Sequence, residues 1–183
     1  MPRFLFLSSS ARSGGNAEFL ARAAAGALSP SAPQRWLALN DLSLPRFEDR
    51  RHSGRPYEAP LGEEKELLEA TLDADHLVFV APVYWYALPA SAKLYIDYWS
   101  AWLRVPGYDF KPRMAGKALS AVTIISSEDE TEAEPLIGCL RLTANYMSMD
   151  WRGALIGRGN RPGDVEKDAR AMGAAKRFFS AAA

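Results

Sequence analysis

The chain has 183 residues, 48% of them apolar and 24% charged, with 22 basic and 22 acidic side chains and a formal net charge of zero. That length fits one domain with a substantial core, and that composition excludes disordered and fibrous classes. The charge balance argues against nucleic-acid or membrane-surface partners recruited by bulk charge, and leaves a local patch open.

The lone cysteine, Cys139, has no internal disulfide partner and reads as a small apolar residue in a helix. Met-Pro-Arg followed by four apolar residues lacks the longer core of a signal peptide, and no apolar run is long enough to span a bilayer. The expectation is a soluble cytoplasmic protein.

Residues 3 to 8 form a short apolar run, Phe4-Leu5-Phe6-Leu7, that ends in serines and suits a buried central strand. After a polar loop from Ser8 to Glu18, Phe19, Leu20, Ala23, Ala24, Ala27 and Leu28 recur at helical spacing until Ser29-Pro30 stops them. Trp36 to Leu39 predicts a second strand. From Asn40 to Gly62 the chain is polar and broken by Pro45, Pro56 and Pro60, a long loop of the kind that borders a site. Glu63 to Asp73 is an amphipathic second helix. His76 to Ala81 is a buried strand ended by Pro82, and Pro89 opens a third helix running to about Leu103. Lys117 to Ser126 is a fourth strand, about Glu132 to Met149 a fourth helix, and Trp151 to Ile156 a fifth strand. The last helix begins near Pro162, with Asp164, Glu166 and Asp168 in its first turns and Lys176 and Arg177 in its last, as the helix dipole favours.

Five strands alternating with five helices, without repeats or a linker, predict one α/β domain over residues 1–183. Its sheet is parallel and doubly wound, with helices on both faces. Ligands bind such sheets beyond the carboxyl ends of the strands where strand order reverses, which for the order 2-1-3-4-5 lies between the first and third strands. The two most unusual loops follow those two strands.

The first, Ser8 to Glu18, puts hydroxyls, Arg12, two glycines and Asn16 at a helix N-terminus, the chemistry of a phosphate cradle; a polar loop with an ordinary helix cap is the alternative. The second, Pro82-Val83-Tyr84-Trp85-Tyr86-Ala87-Leu88-Pro89, carries three consecutive aromatics that cannot all enter a core. They face a planar ligand, or they form a surface cluster or an oligomer contact. Together the loops favour a ligand with a phosphate at one end and an aromatic ring system at the other, the shape of flavin mononucleotide (FMN).

On these residues the sequence resembles the flavodoxin-like NAD(P)H-dependent FMN and quinone reductases. Ser9-Ser10-Ala11-Arg12-Ser13-Gly14-Gly15-Asn16-Ala17-Glu18 is similar to their first FMN loop, commonly Gly-Ser-x-Arg-x-x-Gly-Asn-Thr-Glu, and Pro82-Val83-Tyr84-Trp85 to their second. The resemblance implies a flavodoxin-like sheet of order 2-1-3-4-5. It also implies that Ser10, Arg12, Asn16 and Ala17 hold the FMN phosphate, that Pro82, Val83, Tyr84 and Trp85 line the ribityl chain and ring, and that Ser126, Ser127 and Glu128 reach the pyrimidine side. Two departures stand out. Ala17 replaces the motif's threonine, and the third loop, Ser126-Ser127-Glu128-Asp129-Glu130, is acidic and lacks glycine. Its carboxylates either repel a nicotinamide phosphate or form the solvated start of the next helix, the reading preferred on dipole grounds.

No Gly-x-Gly-x-x-Gly follows the first strand, no P-loop is present, and His52 and His76 lack partners at metal-ligand spacing. No nucleophile, histidine and acid fall in hydrolase order. The third helix is apolar nearly all round, so its second face meets another subunit in a homodimer or is buried under the 104 to 116 loop. The resemblance implies an enzyme that moves hydride from NADH or NADPH through FMN to a quinone, azo, nitro or flavin acceptor in ping-pong fashion, with no catalytic side chain. The competing readings are a flavodoxin-type electron carrier, against which the neutral charge speaks, and a relative that has lost its flavin.

Overall fold

In the computed structural model, which describes residues 1–180, the apolar run after Arg3 is strand β1 (Phe4–Ser8) and the Ala-rich segment after it is helix α1 (Asn16–Ala25). The chain continues through β2 (Gln34–Ala38), α2 (Gly62–Asp73), β3 (His76–Pro82), α3 (Ala90–Trp102), α4 (Phe110–Met114), β4 (Ala118–Ile125), α5 (Glu134–Tyr146), β5 (Asp150–Arg158) and α6 (Ala169–Phe178). All five strands pair in parallel in the order β2-β1-β3-β4-β5, the flavodoxin-like arrangement expected from the sequence. The first two connections run in opposite directions across the sheet, which opens a crevice between β1 and β3 at their carboxyl ends.

Alternation along each strand builds two cores. Leu5 and Leu7 of β1, with Leu77 and Phe79 of β3, face a layer containing α2, α3, α4 and α5. Phe4 and Phe6, with Val78 and Val80, face α1 and α6. The inner strands are apolar on both sides because both faces are covered, and residues 77–81 are fully buried. The edge strand β2 is partly exposed. In β5 the register slips between Leu119 and Ala121 of its partner, where Gly153 takes a φ of 94° that a residue with a side chain rarely adopts.

Three elements depart from the sequence expectation. The 104 to 116 segment contains a short helix, α4, whose Phe110 packs edge-on against Trp99 and Trp102 of α3 at ring-centre separations of 5.7 and 5.5 Å. Much of the second apolar face of α3 is therefore buried inside the chain. The expected Glu132 to Met149 helix divides into a 3₁₀ turn (Glu130–Ala133) and α5, with Pro135 in the first turn of α5, where a missing N–H does no harm. The last helix also divides. Asp164 and Glu166 lie in a 3₁₀ turn (Asp164–Lys167), and α6 starts only after Asp168, which caps it by accepting a 2.9 Å hydrogen bond from the Ala171 N–H.

The long segment between β2 and α2 has no regular structure and is pinned by side chains. Tyr98 donates to the Pro45 carbonyl at 2.8 Å, and Phe47 packs edge-on against the Tyr98 ring. No helix among the described residues is long and apolar enough to cross a membrane.

Candidate functional site

The carboxyl ends of β1, β3, β4 and β5 are stitched together by the backbone. The Ser9 N–H donates to the Val80 carbonyl at 3.0 Å, the Val83 N–H to Ile124 at 3.0 Å, and the Gly159 N–H to Ile125 at 3.0 Å. Ser9 is buried, and its hydroxyl adds a second bond to Val80. Above these ends lies a cleft of about 240 Å³. The loop after β1 contributes Ser10, Arg12, Ser13, Gly15, Asn16 and Ala17, and the loop after β3 contributes Pro82, Val83 and Tyr84. Ile124, Ile125 and Ser126 close it from β4, and Gly159, Asn160 and Pro162 from β5.

One end of the cleft presents the start of a helix. Helix α1 starts at Asn16 from the N-cap residue Gly15 with no side-chain cap, so the first-turn N–H groups of Asn16, Ala17 and Glu18 keep the free donors of a helix start. Gly14, at φ 63°, turns the loop into that helix, and its N–H is held by the Glu18 carboxylate at 3.2 Å. Glu18 in turn pairs with Arg22 at 2.7 Å. The Ser10 hydroxyl accepts from the Arg12 N–H at 3.2 Å, and the Ser10 carbonyl accepts from the Asn40 amide at 2.7 Å, which fixes the loop against the β2 end. Arg12 is exposed on the rim, and its guanidinium forms no ion pair among the described residues.

Asn16 and Ala17 reach the cleft differently from a side-chain clamp. The Asn16 amide donates to the Arg161 carbonyl at 2.9 Å, and its oxygen accepts from the Val165 N–H at 3.4 Å, so the side chain ties α1 to the loop after β5. Gly159 is required beside it, since a Cβ there would come within 2.7 Å of the Asn16 amide nitrogen. The Ala17 methyl is buried in the α1–α6 core. Ala17 has only its backbone N–H to offer an anion, and Asn16 adds to its own the one amide N–H that the Arg161 carbonyl leaves free.

The other end is aromatic. Tyr84 to Ala87 form a tight turn closed by two backbone hydrogen bonds, 3.2 Å from the Tyr84 N–H and 3.1 Å from the Ala87 N–H. Its central residues, Trp85 and Tyr86, have φ of 50° and 62°, a left-handed conformation normally left to glycine or asparagine. Bulky residues held this way cost on the order of 1–3 kcal/mol each, and such strain concentrates at functional sites. Trp85 is 93% exposed. The Tyr84 hydroxyl accepts from the Ala11 N–H at 3.4 Å, linking the two loops across the crevice.

Beside the cleft, and continuous with it through Val83, Ile125 and Ser126, opens a recess of about 180 Å³ whose further walls are Trp85, Tyr86 and Glu132. Ser126 thus serves both spaces, while Ser127 and Glu128 line neither. The Ser127 hydroxyl accepts from the Asp129 N–H, and the Glu128 carbonyl accepts from the Arg158 guanidinium at 3.0 Å. The acidic loop is partly neutralised. Glu130 pairs with Arg170 at 2.8 Å, and Asp129 accepts from Thr131, whose hydrogen bonds hold its carboxyl below the usual range. Sequence reasoning missed Gly159, Asn160 and Pro162. Their signal was the glycine- and proline-rich run after the fifth strand, which in a parallel sheet must emerge at the same edge.

The sequence matches the family described by a flavodoxin-like fold over residues 2–180. YwqN of Bacillus subtilis (strain 168), described as an NAD(P)H-dependent FMN-containing oxidoreductase, is 31% identical over 169 residues, which cover 92% of this chain and 91% of that protein. Among solved structures, the Trp repressor binding protein from Bacillus subtilis superposes with a TM-score of 0.74 at 28% identity, over 97% of each chain. An FMN-dependent NADH-azoreductase from Bacillus anthracis str. Ames Ancestor, in complex with FMN, superposes with a TM-score of 0.66 over 100% of both chains; its 14% identity makes that a likeness of fold alone.

Proposed function

The chain belongs to the flavodoxin-like fold family, and on that footing we propose that it is an FMN-dependent NAD(P)H oxidoreductase. The observation that carries the reading is the polarity of one continuous site. Uncapped N–H groups and an unpaired arginine stand at its β1 end, and exposed aromatic rings stand at its β3 end. A flavin mononucleotide has that polarity, and the donor set fits it: the backbone N–H groups of Asn16 and Ala17, the Ser10 hydroxyl and Arg12 suit its phosphate. Pro82, Val83 and Tyr84 suit the chain and ring, with Trp85 at the ring edge and Ser126 on the far side. Ser127 and Glu128 approach only through movement of their loop.

What the flavin supplies when bound is a ring that takes up a hydride equivalent and releases it to an acceptor. The protein positions the ring, keeps water from one face and orients the partner molecule. No side chain is asked to act as acid or base. One recess adjoins the ring end, so reductant and acceptor occupy it in turn, which is the basis for expecting ping-pong kinetics. A flat quinone, azo, nitro or flavin acceptor suits aromatic walls. Dependence on NADH or NADPH, which are held inside cells, supports a cytoplasmic location.

The remaining apolar surface supports a homodimer. Between α3 and α5 lies a groove of about 370 Å³ lined by Ile96, Trp99, Leu103, Leu142 and Tyr146, of which Leu142 is 68% exposed. A second copy covering this face would remove it from water.

Two measurements test the function. The visible spectrum of protein saturated with FMN is expected to show a perturbed flavin band, and steady oxidation of NADH or NADPH is expected with a quinone and no partner protein. Failure to retain FMN refutes the cofactor. Retention without NAD(P)H turnover favours an electron carrier.

A further inference from the structure

The recess beside Trp85 carries one side chain charged at neutral pH, Glu132, and no cation. Among the described residues the Glu132 carboxylate has no ion pair and no hydrogen bond, although its neighbours are engaged: Glu130 by Arg158 and Arg170, Asp129 by Thr131. Its position is fixed by the 3₁₀ turn Glu130–Ala133, whose Ala133 is buried in the core. The opposite wall is held by the closed Tyr84–Ala87 turn, which keeps the Trp85 and Tyr86 rings at the mouth. A flat ring entering this space therefore meets the Trp85 and Tyr86 rings, the side chains of Val83 and Ile125, the Ser126 hydroxyl and an uncompensated carboxylate.

We propose that the recess is a charge-selective ring pocket, in which Glu132 admits neutral and cationic aromatic acceptors and discriminates against anionic ones. The inference rests on the functional reading above and narrows it to a substrate class. It follows from the chemistry of the wall. An anionic substituent on the ring meets no cation in the recess, whose donors are the neutral Ser126 and Tyr86 hydroxyls and the Trp85 indole N–H, and its nearest charge there is of the same sign. Like charges brought together in a partly desolvated pocket are a strong source of discrimination, and the effect fades as salt screens it. The anion-binding end of the site is no alternative berth, since in the working protein it holds the flavin phosphate. Any anion carried by the acceptor must therefore point into solvent or face Glu132.

The test compares 4-hydroxyazobenzene with its 4′-sulfonate, two dyes that differ in one charged substituent. Each is titrated calorimetrically into the oxidised flavoprotein without NAD(P)H, so binding is read without turnover. The neutral dye is expected to bind about tenfold more tightly at low ionic strength, with the gap shrinking as salt rises. In Glu132→Gln, which keeps the size of the side chain, the ratio is expected to fall severalfold because the sulfonate gains affinity. Glu134→Gln, an exposed carboxylate in the next turn and outside both the recess and the cleft, is expected to leave the ratio where it was. An unchanged ratio in Glu132→Gln, no preference in the parent protein, or binding of neither dye overturns the proposal. The flavin band recorded on the same samples separates the two levels: its absence refutes the flavin reading, whereas a ratio insensitive to Glu132 with the band present refutes only the charge filter.

Discussion

Arg12→Ala and Asn16→Ala should have separable effects, although the two residues are only four apart, one in the loop after β1 and the other opening α1. Asn16 spends its side chain on the loop after β5, with one hydrogen bond of 2.9 Å and a weaker one of 3.4 Å. Truncation removes both, leaving the N–H of fully buried Val165 unpaired and the Arg161 carbonyl to find water, a loss of about 1–2 kcal/mol. For a chain of this size that lowers the melting temperature of the flavin-free protein by about 3–6 °C. Arg12 is exposed and tied to nothing but its own loop, so Arg12→Ala should leave that melting temperature within a degree or so. Its effect falls on the anion. Losing one charge-assisted hydrogen bond at a solvent-facing site predicts about a tenfold rise in the FMN dissociation constant. The assays are thermal melts without flavin and titration of FMN by quenching of its fluorescence. If Asn16→Ala spares the melt and weakens FMN as much as Arg12→Ala, the Asn16 amide faces the phosphate and its assignment as a tie between loops is wrong.

The strained turn gives a stability prediction of opposite sign: Trp85→Asn with Tyr86→Gly fits the left-handed positions and should raise the melting temperature by a few degrees, while dye binding in the recess falls. A lower melting temperature would show that the rings pack in solution. His76 is buried, donates to or accepts from the Ser120 hydroxyl at 2.8 Å, and has its pKa lowered to about 4, first by burial and then by the charge of Arg152. Its folded value lies below the ordinary 6.5, so its contribution is full above that pH. As pH falls from 6.5 through 4, up to about 3 kcal/mol is lost. Half-buried Glu64, whose pKa is raised chiefly by desolvation, works in the opposite direction, so the slope attributable to His76 is the part that disappears in His76→Gln during urea unfolding at pH 7 and pH 4.5. For the α3–α5 groove, sedimentation should show a dimer at micromolar concentration that Leu142→Asp turns into a monomer. A monomeric parent protein rules the dimer out.

Much of the fold was legible because the strands are short, apolar and bounded by serine, proline or glycine, so β1, β3 and β4 declare themselves and strict alternation with helices leaves a parallel sheet. What escaped was set by contacts far along the chain or by single caps. Helix α4 is five residues with a proline inside, and only Phe110 meeting Trp99 and Trp102 makes it an element. The last helix starts late because Asp168 serves both the Ala171 N–H and the Arg158 N–H, a double duty invisible to periodicity. At the site, the loops after β1 and β3 were readable from composition. The direction of the Asn16 side chain was not, since its partners lie 145 and 149 residues away. Nor did three aromatics in a row announce a turn that nature usually builds from asparagine and glycine.

The zero net charge conceals a separation that topology creates. Strand order places the β1 loop and the β4 loop two strand spacings apart, about 10 Å at the 4.8 Å repeat of a sheet. Arg12 and the start of α1 stand at one end, and Glu132 with its acidic loop stands at the other. That span is comparable with the Debye length in a cell, about 8 Å, so the ends act on a ligand lying between them and are largely hidden from one at a distance. Long-range steering is therefore weak, and orientation within the cleft is strong. On the proposed reading, an anion settles at β1 and an uncharged ring lies between the β3 turn and β4. This is how a chain with equal numbers of acids and bases reads the two ends of a molecule differently: the parallel sheet sets the distance, and the loops at its carboxyl edge supply the signs.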